Sequence, residues 1–433
     1  MAVKNVSWKL LGICGAVVLV TSCGVSKKGG EESPAANNTA SLVPAEPVTI
    51  KFLSSLADSE FDLLFRNAMK KKYPNITIEV IKKGAGSQLT DILAAGTIPD
   101  LVLDDNTNLG TSAGLGVFQD HTALSKRHNI DLNRIEPVVL DAIRNATADG
   151  ALYGLPYFIQ VNGLYYNKEI FNRFGVPYPS DGMTWNDAIQ LAKRLTRDGY
   201  KGLHYEKVTR IAESMSPDYV DRKTNKATVN TDAWREIFTI GQQILSIPGN
   251  MPPKIENGYR DDFFKAQNFA MLATINVLTA EQSSLEGGFP LGVAQYPSLP
   301  GKPNTYGYVS TGMVYVTKQS KHQDAAMLVL KEMVSDETQI ESARKLGRFT
   351  VLKSAEAKQQ FGKDLPFLKN LDLTPLSKSL PAPGPAFSAY SAKARQIVQD
   401  RYVDFINQKY DLNTALRTAE EEINLMVAAE LSK

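Results

Sequence analysis

After residue 47, short runs of apolar residues alternate along the chain with stretches in which apolar residues recur at helical spacing. Residues 48–53 are β-branched, aromatic or aliphatic at most positions, which is typical of a strand. The apolar residues that follow recur at helical spacing and predict an amphipathic helix: Phe61, Leu64, Phe65, Ala68 and Met69. Ser59 and Asp62 have the spacing of a capping box at its start. A second strand over 76–81, a helix over 88–95 and a strand over 100–103 continue the alternation. This order predicts βαβ units and a parallel sheet.

The same alternation continues to the end of the chain. Thr184 and Asp187 are spaced to cap another helix, and residues 324–333 and 391–405 have helical patterns. No unit of 20 to 50 residues repeats, which argues against a solenoid. The roughly 385 residues after position 48 exceed what one core usually holds. The sequence therefore predicts an α/β protein with two lobes.

The amino-terminal segment has the layout of a secretory signal. Lys4 and Lys9 precede an apolar run over 10–20, which is about half the ~20 residues that a transmembrane helix needs. We predict that residues 1–22 are removed. Residues 24–47 are rich in Gly, Ser, Ala, Asn and Pro, so residues 23–47 are predicted to be an anchored cysteine followed by a flexible tether.

Cys23 is the predicted anchor. Residues 20–23, Val-Thr-Ser-Cys, resemble a bacterial lipobox, whose cysteine receives a lipid and becomes the new amino terminus. The second cysteine, Cys14, lies in the run that would be discarded. This predicts an extracytoplasmic protein held at the cell membrane by acyl chains such as palmitate. An ordinary secretory signal with an incidental cysteine is the alternative.

Charge and motifs exclude several classes of function. The chain has 48 basic and 46 acidic residues, and loss of Lys4 and Lys9 leaves 46 of each. Such a balance disfavours nucleic-acid binding and a polybasic membrane surface. The sequence lacks a dinucleotide-binding loop, a Walker lysine motif and a nucleophile elbow, and its four histidines have no metal-ligand spacing. We therefore predict no catalytic residues, no cofactor and no metal.

Polar residues after the predicted strand 100–103 are candidates for ligand binding. Asp104, Asp105 and Asn106 follow this strand directly, and open α/β sheets bind ligands beyond the carboxyl ends of their strands. Carboxylates and amides at such a site match the hydroxyl groups of a sugar. A simple turn or helix cap remains the alternative. Tyrosines add rings that can contact a sugar face, and Tyr157 and Tyr390 lie in Pro- or Gly-rich surroundings.

Several motifs resemble those of the family 1 extracellular solute-binding proteins. The signature-like segments are 150–157, Gly-Ala-Leu-Tyr-Gly-Leu-Pro-Tyr, and 162–171, Asn-Gly-Leu-Tyr-Tyr-Asn-Lys-Glu-Ile-Phe. Further motifs follow the same order as in the family: Ile98-Pro99-Asp100-Leu101-Val102, Thr184-Trp185-Asn186-Asp187, Phe264 to Met271, Tyr308 to Met313 and Ser335 to Ile340. Together they cover essentially the whole chain after the tether.

The resemblance implies two discontinuous α/β lobes with a hinge and a ligand between them. Lobe I would comprise 48–157 and 312–350, and lobe II 158–311 and 351–433. Closure would rotate the lobes about residues 156–160 and 309–312. By motif position, the resemblance places these residues at the cleft: Asp104, Asp105, Asn106, Gln160, Thr274 and Asn276. The aromatic residues Tyr157, Phe158 and Tyr390 complete the predicted ligand-binding set. Many sugar-binding relatives have a tryptophan after the position of Met271, but residues 272–277 contain no aromatic residue.

The resemblance predicts a monomeric binding protein that delivers a small ligand to the permease subunits of an ABC importer. A carbohydrate or oligosaccharide is the favoured ligand, and a non-sugar solute is the alternative. A second hypothesis makes the protein the ligand-binding subunit of a membrane sensor, which would share the same fold and site. An extracytoplasmic hydrolase is disfavoured because no nucleophile and base are arranged for catalysis.

Overall fold

The structure, a computed structural model, describes residues 42–382 and 384–432. The predicted signal peptide, Cys23 and most of the predicted tether lie outside these residues. At the end of the tether, the backbone carbonyls of Pro44 and Ala45 accept hydrogen bonds from Asn75 Nδ2, at 3.4 and 3.2 Å. This contact ties the tether to the turn before the second strand.

The strands of the described residues are β1 (Val48–Ser54), β2 (Ile76–Lys82), β3 (Leu101–Asp105), β4 (Leu155–Gln160), β5 (Asn162–Asn167), β6 (Lys201–His204), β7 (Val220–Asp221), β8 (Lys226–Ala227), β9 (Phe269–Ile275), β10 (Leu291–Gln295), β11 (Thr305–Tyr308), β12 (Ser310–Val316) and β13 (Leu380–Ala382). The helices are α1 (Asp58–Phe61), α2 (Asn67–Lys72), α3 (Leu89–Ala94), α4 (Leu109–Ser112), α5 (His121–Arg127), α6 (Pro137–Asn145), α7 (Lys168–Phe174), α8 (Trp185–Leu195), α9 (Val208–Ala212), α10 (Asp232–Leu245), α11 (Gln282–Glu286), α12 (Gln323–Met333), α13 (Asp336–Leu346), α14 (Ala355–Lys358), α15 (Pro375–Lys378), α16 (Ser391–Ile406) and α17 (Leu412–Leu431). Across the described part of the chain, no helix is both long enough and apolar enough to span a bilayer.

Local sequence signals place several helix starts correctly. Thr184 Oγ1 accepts from the amide of Asp187, whose carboxylate accepts from the amide of Thr184 in return, as the predicted capping box requires. The capping box predicted at Ser59 and Asp62 is wrong, because α1 begins at Asp58 after Ala57. Asp62 instead forms an ion pair with Arg66 inside a π-helical turn that joins α1 to α2.

Lobe I is built on a five-stranded sheet in the order β2-β1-β3-β12-β4. β1 pairs in parallel with β2 and β3, as the alternation of strands and helices predicts, and β12 runs antiparallel to both β3 and β4. Because β4 is antiparallel to β12, it runs in the same direction as β3. The carboxyl ends of β1, β3 and β4 therefore meet at one edge of this sheet.

Lobe II is built on a four-stranded sheet in the order β10-β5-β9-β6. β6 and β9 are parallel, whereas β5 is antiparallel to both β9 and β10. The ends of β6 and β9 thus lie at the same edge as the start of β5. This is the edge at which the chain enters lobe II, since β4 of lobe I leads through Val161 into β5.

Each lobe has its own hydrophobic core. The core of lobe I contains a cluster of Phe52, Phe61 and Phe65, whose ring centroids lie 4.8 to 5.1 Å apart. The core of lobe II contains Trp185 and Trp234, and both are fully buried. Two separate cores agree with the predicted two-lobed α/β fold.

Two direct crossings link the lobes. β4 of lobe I leads through Val161 into β5 of lobe II, and β11 leads through Val309 into β12. A third passage follows α13, where the ring of Phe349 stacks on Phe361 at 4.2 Å between centroids. Some residues assigned by sequence to lobe II pack in the core of lobe I: Tyr308, Val309, Val351, Leu352 and Phe387. Their positions beside the crossings explain the difference, and the exact lobe boundaries stay a prediction.

Candidate functional site

Polar side chains gather where the strands of lobe I end. Asp105 ends β3, Gln160 ends β4, and Ser310 begins β12 between them. Ser310 pairs with Gln160 across the ladder, and its hydroxyl donates to Asp105 Oδ1 at 3.3 Å. We call Asp105, Gln160 and Ser310 the lobe I edge. The structure therefore brings together two of the predicted site residues and adds a serine that sequence reasoning missed.

Asp104 and Asp105 have different surroundings, as expected for neighbours on a strand. Asp104 is buried, and its Oδ1 accepts from the amide of Asp105 at 2.9 Å and from Asn108 Nδ2 at 3.0 Å, with Lys83 Nζ at 3.5 Å. Asp105 is half-buried and accepts from Ser310 and Thr107. Burial raises the pKa of Asp105 to about 6, against the opposing hydrogen bonds from Thr107. Asp105 is therefore the more available carboxylate of the pair.

Asn106 lies inside the crossing rather than at the sheet edge. Its Nδ2 donates to the carbonyl of Val309 at 3.1 Å, and its Oδ1 accepts from the amide of Thr311 at 3.0 Å. Its side chain is almost completely buried. Both ends of the amide are thus engaged by the backbone where β11 passes into β12, which makes Asn106 a clamp on this crossing.

Tyr157 and Phe158 form an aromatic pair next to a guanidinium group. Their ring centroids are 5.0 Å apart, and the Arg348 guanidinium lies 4.4 Å from the Phe158 ring and 5.2 Å from the Tyr157 ring. Arg348 also forms an ion pair with Glu60. Tyr157 is buried, and burial raises its pKa to about 12. Phe158 is partly exposed, so of the two rings it is the one that solvent or a ligand can contact.

The facing edge of lobe II carries a buried ionic cluster. Arg210 on α9 donates through Nε and Nη2 to the two carboxylate oxygens of Glu206, at 2.9 and 3.1 Å. Its Nη1 reaches both oxygens of Glu213, at 2.6 and 2.7 Å. We call Glu206, Arg210 and Glu213 the lobe II cluster. Such forked contacts fix the guanidinium plane as well as its charge.

The lobe II cluster extends to the predicted residue Thr274, whose hydroxyl donates to Glu206 Oε2 at 2.6 Å. It also extends to Asn162 at the start of β5, whose Nδ2 donates to Glu213 at 3.2 Å. Glu206 has a positive φ of 64°, an uncommon conformation for a residue with a side chain and one often found at functional sites. Burial raises the pKa of Glu206, but the charge of Arg210 and the hydrogen bonds from Arg210 and Thr274 outweigh it, so the pKa lies below its usual value.

The two edges lie on either side of the same crossing. Gln160 ends β4 and Asn162 begins β5, so two residues of extended backbone, about 7 Å, separate Gln160 of the lobe I edge from Asn162, whose side chain contacts the lobe II cluster. The predicted residue Asn276 also lies at this crossing. Its backbone N–H donates to the carbonyl of Val161 at 2.8 Å, and its side-chain Nδ2 donates to the carbonyl of Gly347 at 3.2 Å. Polar side chains therefore lie on both sides of this crossing.

Tyr390 lies apart from these edges in the segment before α16. It is half-buried and packs against the core of lobe II. The preceding residues contact lobe I: Phe387 packs near Tyr308 at 5.7 Å between ring centroids, and the carbonyl of Ala389 accepts from Thr111 Oγ1 at 3.2 Å. This segment thus touches both lobes beside the crossings.

Sequence reasoning missed the lobe II cluster, although its spacing was visible. Glu206, Arg210 and Glu213 stand at i, i+4 and i+7, a spacing that in a helix would place ionic partners on one face, although the structure starts α9 only at Val208. Exposed ion pairs with this spacing are common, and the lobe II cluster differs from them because it is buried. Across residues 42–382 and 384–432, no group of three or more His, Cys, Asp or Glu side chains is arranged to hold a metal ion.

This architecture, two α/β lobes joined by crossing strands with polar side chains on both sides of one crossing, defines the two-lobed class of solute-binding folds. Solved structures that share it include the following three. An ABC substrate-binding protein from Listeria monocytogenes in complex with cycloalternan is 19% identical, with a TM-score of 0.72 over 88% of this chain and 100% of that chain. A sugar transporter protein from Rhizobium etli in an open conformation is 20% identical, with a TM-score of 0.70 over 87% and 99%. Maltose-bound MalE3 from T. maritima is 17% identical, with a TM-score of 0.66 over 87% and 99%.

The family follows from the sequence comparison. The model of the bacterial extracellular solute-binding proteins matches residues 54–340, and the chain belongs to this family. Proteins of Brucella abortus and Brucella suis that are named as binding proteins are 23% identical over 246 residues, which is 54% of this chain. The match spans 57% of the length of these relatives. The predicted family and the predicted two-lobed α/β fold are both confirmed.

Proposed function

We propose that the protein captures a small carbohydrate or oligosaccharide between its lobes and delivers it to the permease subunits of an ABC importer. The observation that carries this proposal is the polar cleft base, where the lobe I edge and the lobe II cluster flank one crossing. Its carboxylates, amides and hydroxyls can both donate to and accept from the hydroxyl groups of a sugar. Structural relatives with cycloalternan and maltose support the ligand class.

Binding in this proposal involves hinge closure. The crossings at residues 160–162 and 308–310 are short, so rotation is concentrated in a few residues while each core moves as a unit. Phe158 supplies a partly exposed ring for the apolar face of a sugar. Closure then surrounds the ligand with groups from both lobes. Failure to turn over glycosides would agree with a binding role for these groups.

Gln160→Ala should weaken sugar binding about 5- to 150-fold, because loss of one buried partner costs about 1 to 3 kcal/mol. Titration calorimetry with cycloalternan, maltose and maltotriose is the measurement, after mass spectrometry of ligand released from gently purified protein. The heat should change little between low and high salt, since a neutral sugar is not screened. Thermal stability should remain close to that of the native protein.

Gln243→Ala is the matched control, because Gln243 is exposed on α10. X-ray scattering should show a smaller radius when a binding sugar is added. Equal affinity of Gln160→Ala and native protein would remove Gln160 from the site. Steep loss of affinity with salt, or a charged compound released from the native protein, would contradict the carbohydrate assignment.

A lipid anchor at Cys23 is the second part of the proposal, and it rests on the lipobox-like residues 20–23. Cys23→Ala should move the mature protein from the membrane fraction to the soluble fraction, because a flexible tether gives the folded domain no other attachment. Cys14→Ala is the control, since Cys14 lies in the segment predicted to be removed. Cell fractionation with metabolic labelling by a palmitate analogue is the measurement. A Cys23→Ala protein that remains in the membrane fraction with its signal peptide removed would overturn the anchor.

A further inference from the structure

Glu256 is a half-buried carboxyl group that joins three segments of lobe II. It lies in the loop between α10 and β9. Its Oε1 accepts from the amide of Val208 at 3.2 Å, and its Oε2 accepts from Gln399 Nε2 at 2.5 Å. Val208 is the first residue of α9, and Gln399 lies in the middle of α16. One carboxylate therefore ties the start of α9 to α16.

The start of α9 depends on this distant partner. In the part of the chain that the structure describes, the residue before α9, Lys207, makes no capping hydrogen bond with its side chain. Two residues into the helix stands Arg210, whose guanidinium holds both carboxylates of the lobe II cluster. A shift of the first turn of α9 would thus displace Arg210 and Glu206 relative to the cleft.

A second bond reinforces the tie on the same side. The hydroxyl groups of Tyr205, just after β6, and Tyr402 on α16 are 2.5 Å apart, and both side chains are buried. Tyr205 precedes Glu206 in the chain. α16 is thereby linked to both chain segments that carry the lobe II cluster.

We propose that Glu256 is a positioning residue whose ionised carboxylate fixes α9 against α16, so that the lobe II cluster is oriented for the solute and binding weakens when Glu256 is protonated. This inference rests on the proposed function of the cleft. A carboxylate accepts from Val208 and Gln399 at the same time, whereas the protonated acid must use one oxygen as a donor. Gln399 must then turn its amide to accept from that oxygen, so a charge-assisted hydrogen bond is replaced by a weaker neutral one.

Glu256 titrates in an accessible pH range. Burial raises its pKa from 4.5 to about 7, against the opposing effects of the bonds from Gln399 and Val208. Two charged groups face it from the adjoining elements: Lys207 lowers the pKa, and Asp400 on α16 raises it. Glu256 also lines a groove of about 690 Å³ that contains Lys207, Lys254 and Asp400 and gives water a route to the carboxyl group.

Stability and binding should respond to pH in opposite directions. Because the pKa of Glu256 is higher in the folded protein than its ordinary value of 4.5, its stabilising effect is complete below about pH 4.5 and is lost as the pH rises through about 7. Binding should instead improve over the upper part of this range, as the carboxylate forms. A residue with a purely structural role would move both properties in the same direction.

The test compares native protein with Glu256→Gln between about pH 5.5 and about pH 8.5. The glutamine carbonyl can accept from Val208 and its amide can donate to a rotated Gln399. This is the bonding pattern of the protonated acid, so Glu256→Gln holds α9 against α16 in the weaker way at every pH. Affinity of the native protein for cycloalternan and maltose should fall about 5- to 10-fold from the upper to the lower pH, while the affinity of Glu256→Gln stays near the lower value throughout. Glu236→Gln, at an exposed glutamate on α10, is the control and should keep the native pH profile.

A measurement without any sugar separates this inference from the proposed function. In nitrogen-15 spectra, the Arg210 Nε–H signal should shift with an apparent pKa near 7 in the native protein and stay fixed in Glu256→Gln. An Arg210 signal that does not respond to pH in the native protein would overturn the positioning role, as would sugar affinity with the same pH dependence in both proteins. A responsive Arg210 signal together with no affinity for any sugar would contradict the carbohydrate proposal and leave the positioning role standing.

Discussion

Arg210→Ala is expected to destabilise lobe II by about 3 to 5 kcal/mol, because it leaves Glu206 and Glu213 as buried carboxylates without their cation. Arg210 is almost completely buried and makes four charge-assisted hydrogen bonds to them. The charges of the two glutamates raise the pKa of Arg210 against the effect of burial, so the guanidinium stays charged throughout the accessible pH range.

The loss of unfolding free energy caused by Arg210→Ala should be larger at about pH 8 than at about pH 5. Without Arg210, Glu206 remains buried but loses the charge that holds its pKa below the usual value, so the pKa of its carboxyl group in the folded protein rises. Its contribution to stability is then complete below its unfolded pKa and is lost as the pH increases. Protonation at low pH therefore relieves part of the damage. This pH dependence separates an unpaired charge from a simple packing defect.

Tryptophan fluorescence during urea unfolding is the measurement. Two of the three tryptophans, Trp185 and Trp234, lie in the core of lobe II, and the third, Trp8, belongs to the predicted signal peptide. The signal therefore reports the lobe that contains the substitution. Arg417→Ala is the control, because Arg417 and Glu421 form an exposed pair on α17, worth about 0 to 1 kcal/mol. Equal small losses for both variants would show that burial of the cluster has no energetic consequence.

Asn106→Ala is expected to cost about 2 to 4 kcal/mol of unfolding free energy. It removes the partners of two buried backbone groups, the carbonyl of Val309 and the amide of Thr311, at about 1 to 3 kcal/mol each with partial relaxation. Both groups lie where the chain passes from β11 into β12. The variant should therefore also loosen the hinge and broaden the distribution of distances between the lobes.

Circular dichroism during urea unfolding and a distance measurement between labels on the two lobes check this prediction. Asn108→Ala is the control, because Asn108 is exposed two residues further on and makes one side-chain bond, to Asp104. If Asn106 contacted the solute directly, as the sequence suggested, Asn106→Ala would lower affinity and leave stability unchanged. That outcome would contradict the role of a clamp.

The sequence by itself determined the class of fold and much of the secondary structure. The strand near residue 50, the capping box of Thr184 and Asp187 and the order of the family motifs depend on local spacing, which the chain displays directly. The position of Asp105 at the end of a buried strand was also readable, because strand ends are marked by a change from apolar to polar residues. The register of that strand against β12 could not be predicted from the sequence.

Only the tertiary structure decided what the polar residues do. The sequence predicts Asn106 as a ligand-binding amide, and only the structure shows that its side chain also bonds the backbone of Val309 and Thr311, which lie 203 and 205 residues away in the chain. Glu256 drew no attention in the sequence, since its partner Gln399 is 143 residues distant. The chemistry of a side chain fixes how many hydrogen bonds it can make. Whether it bonds the protein itself or remains available to a solute depends on which distant backbone and side-chain groups folding brings within about 3 Å.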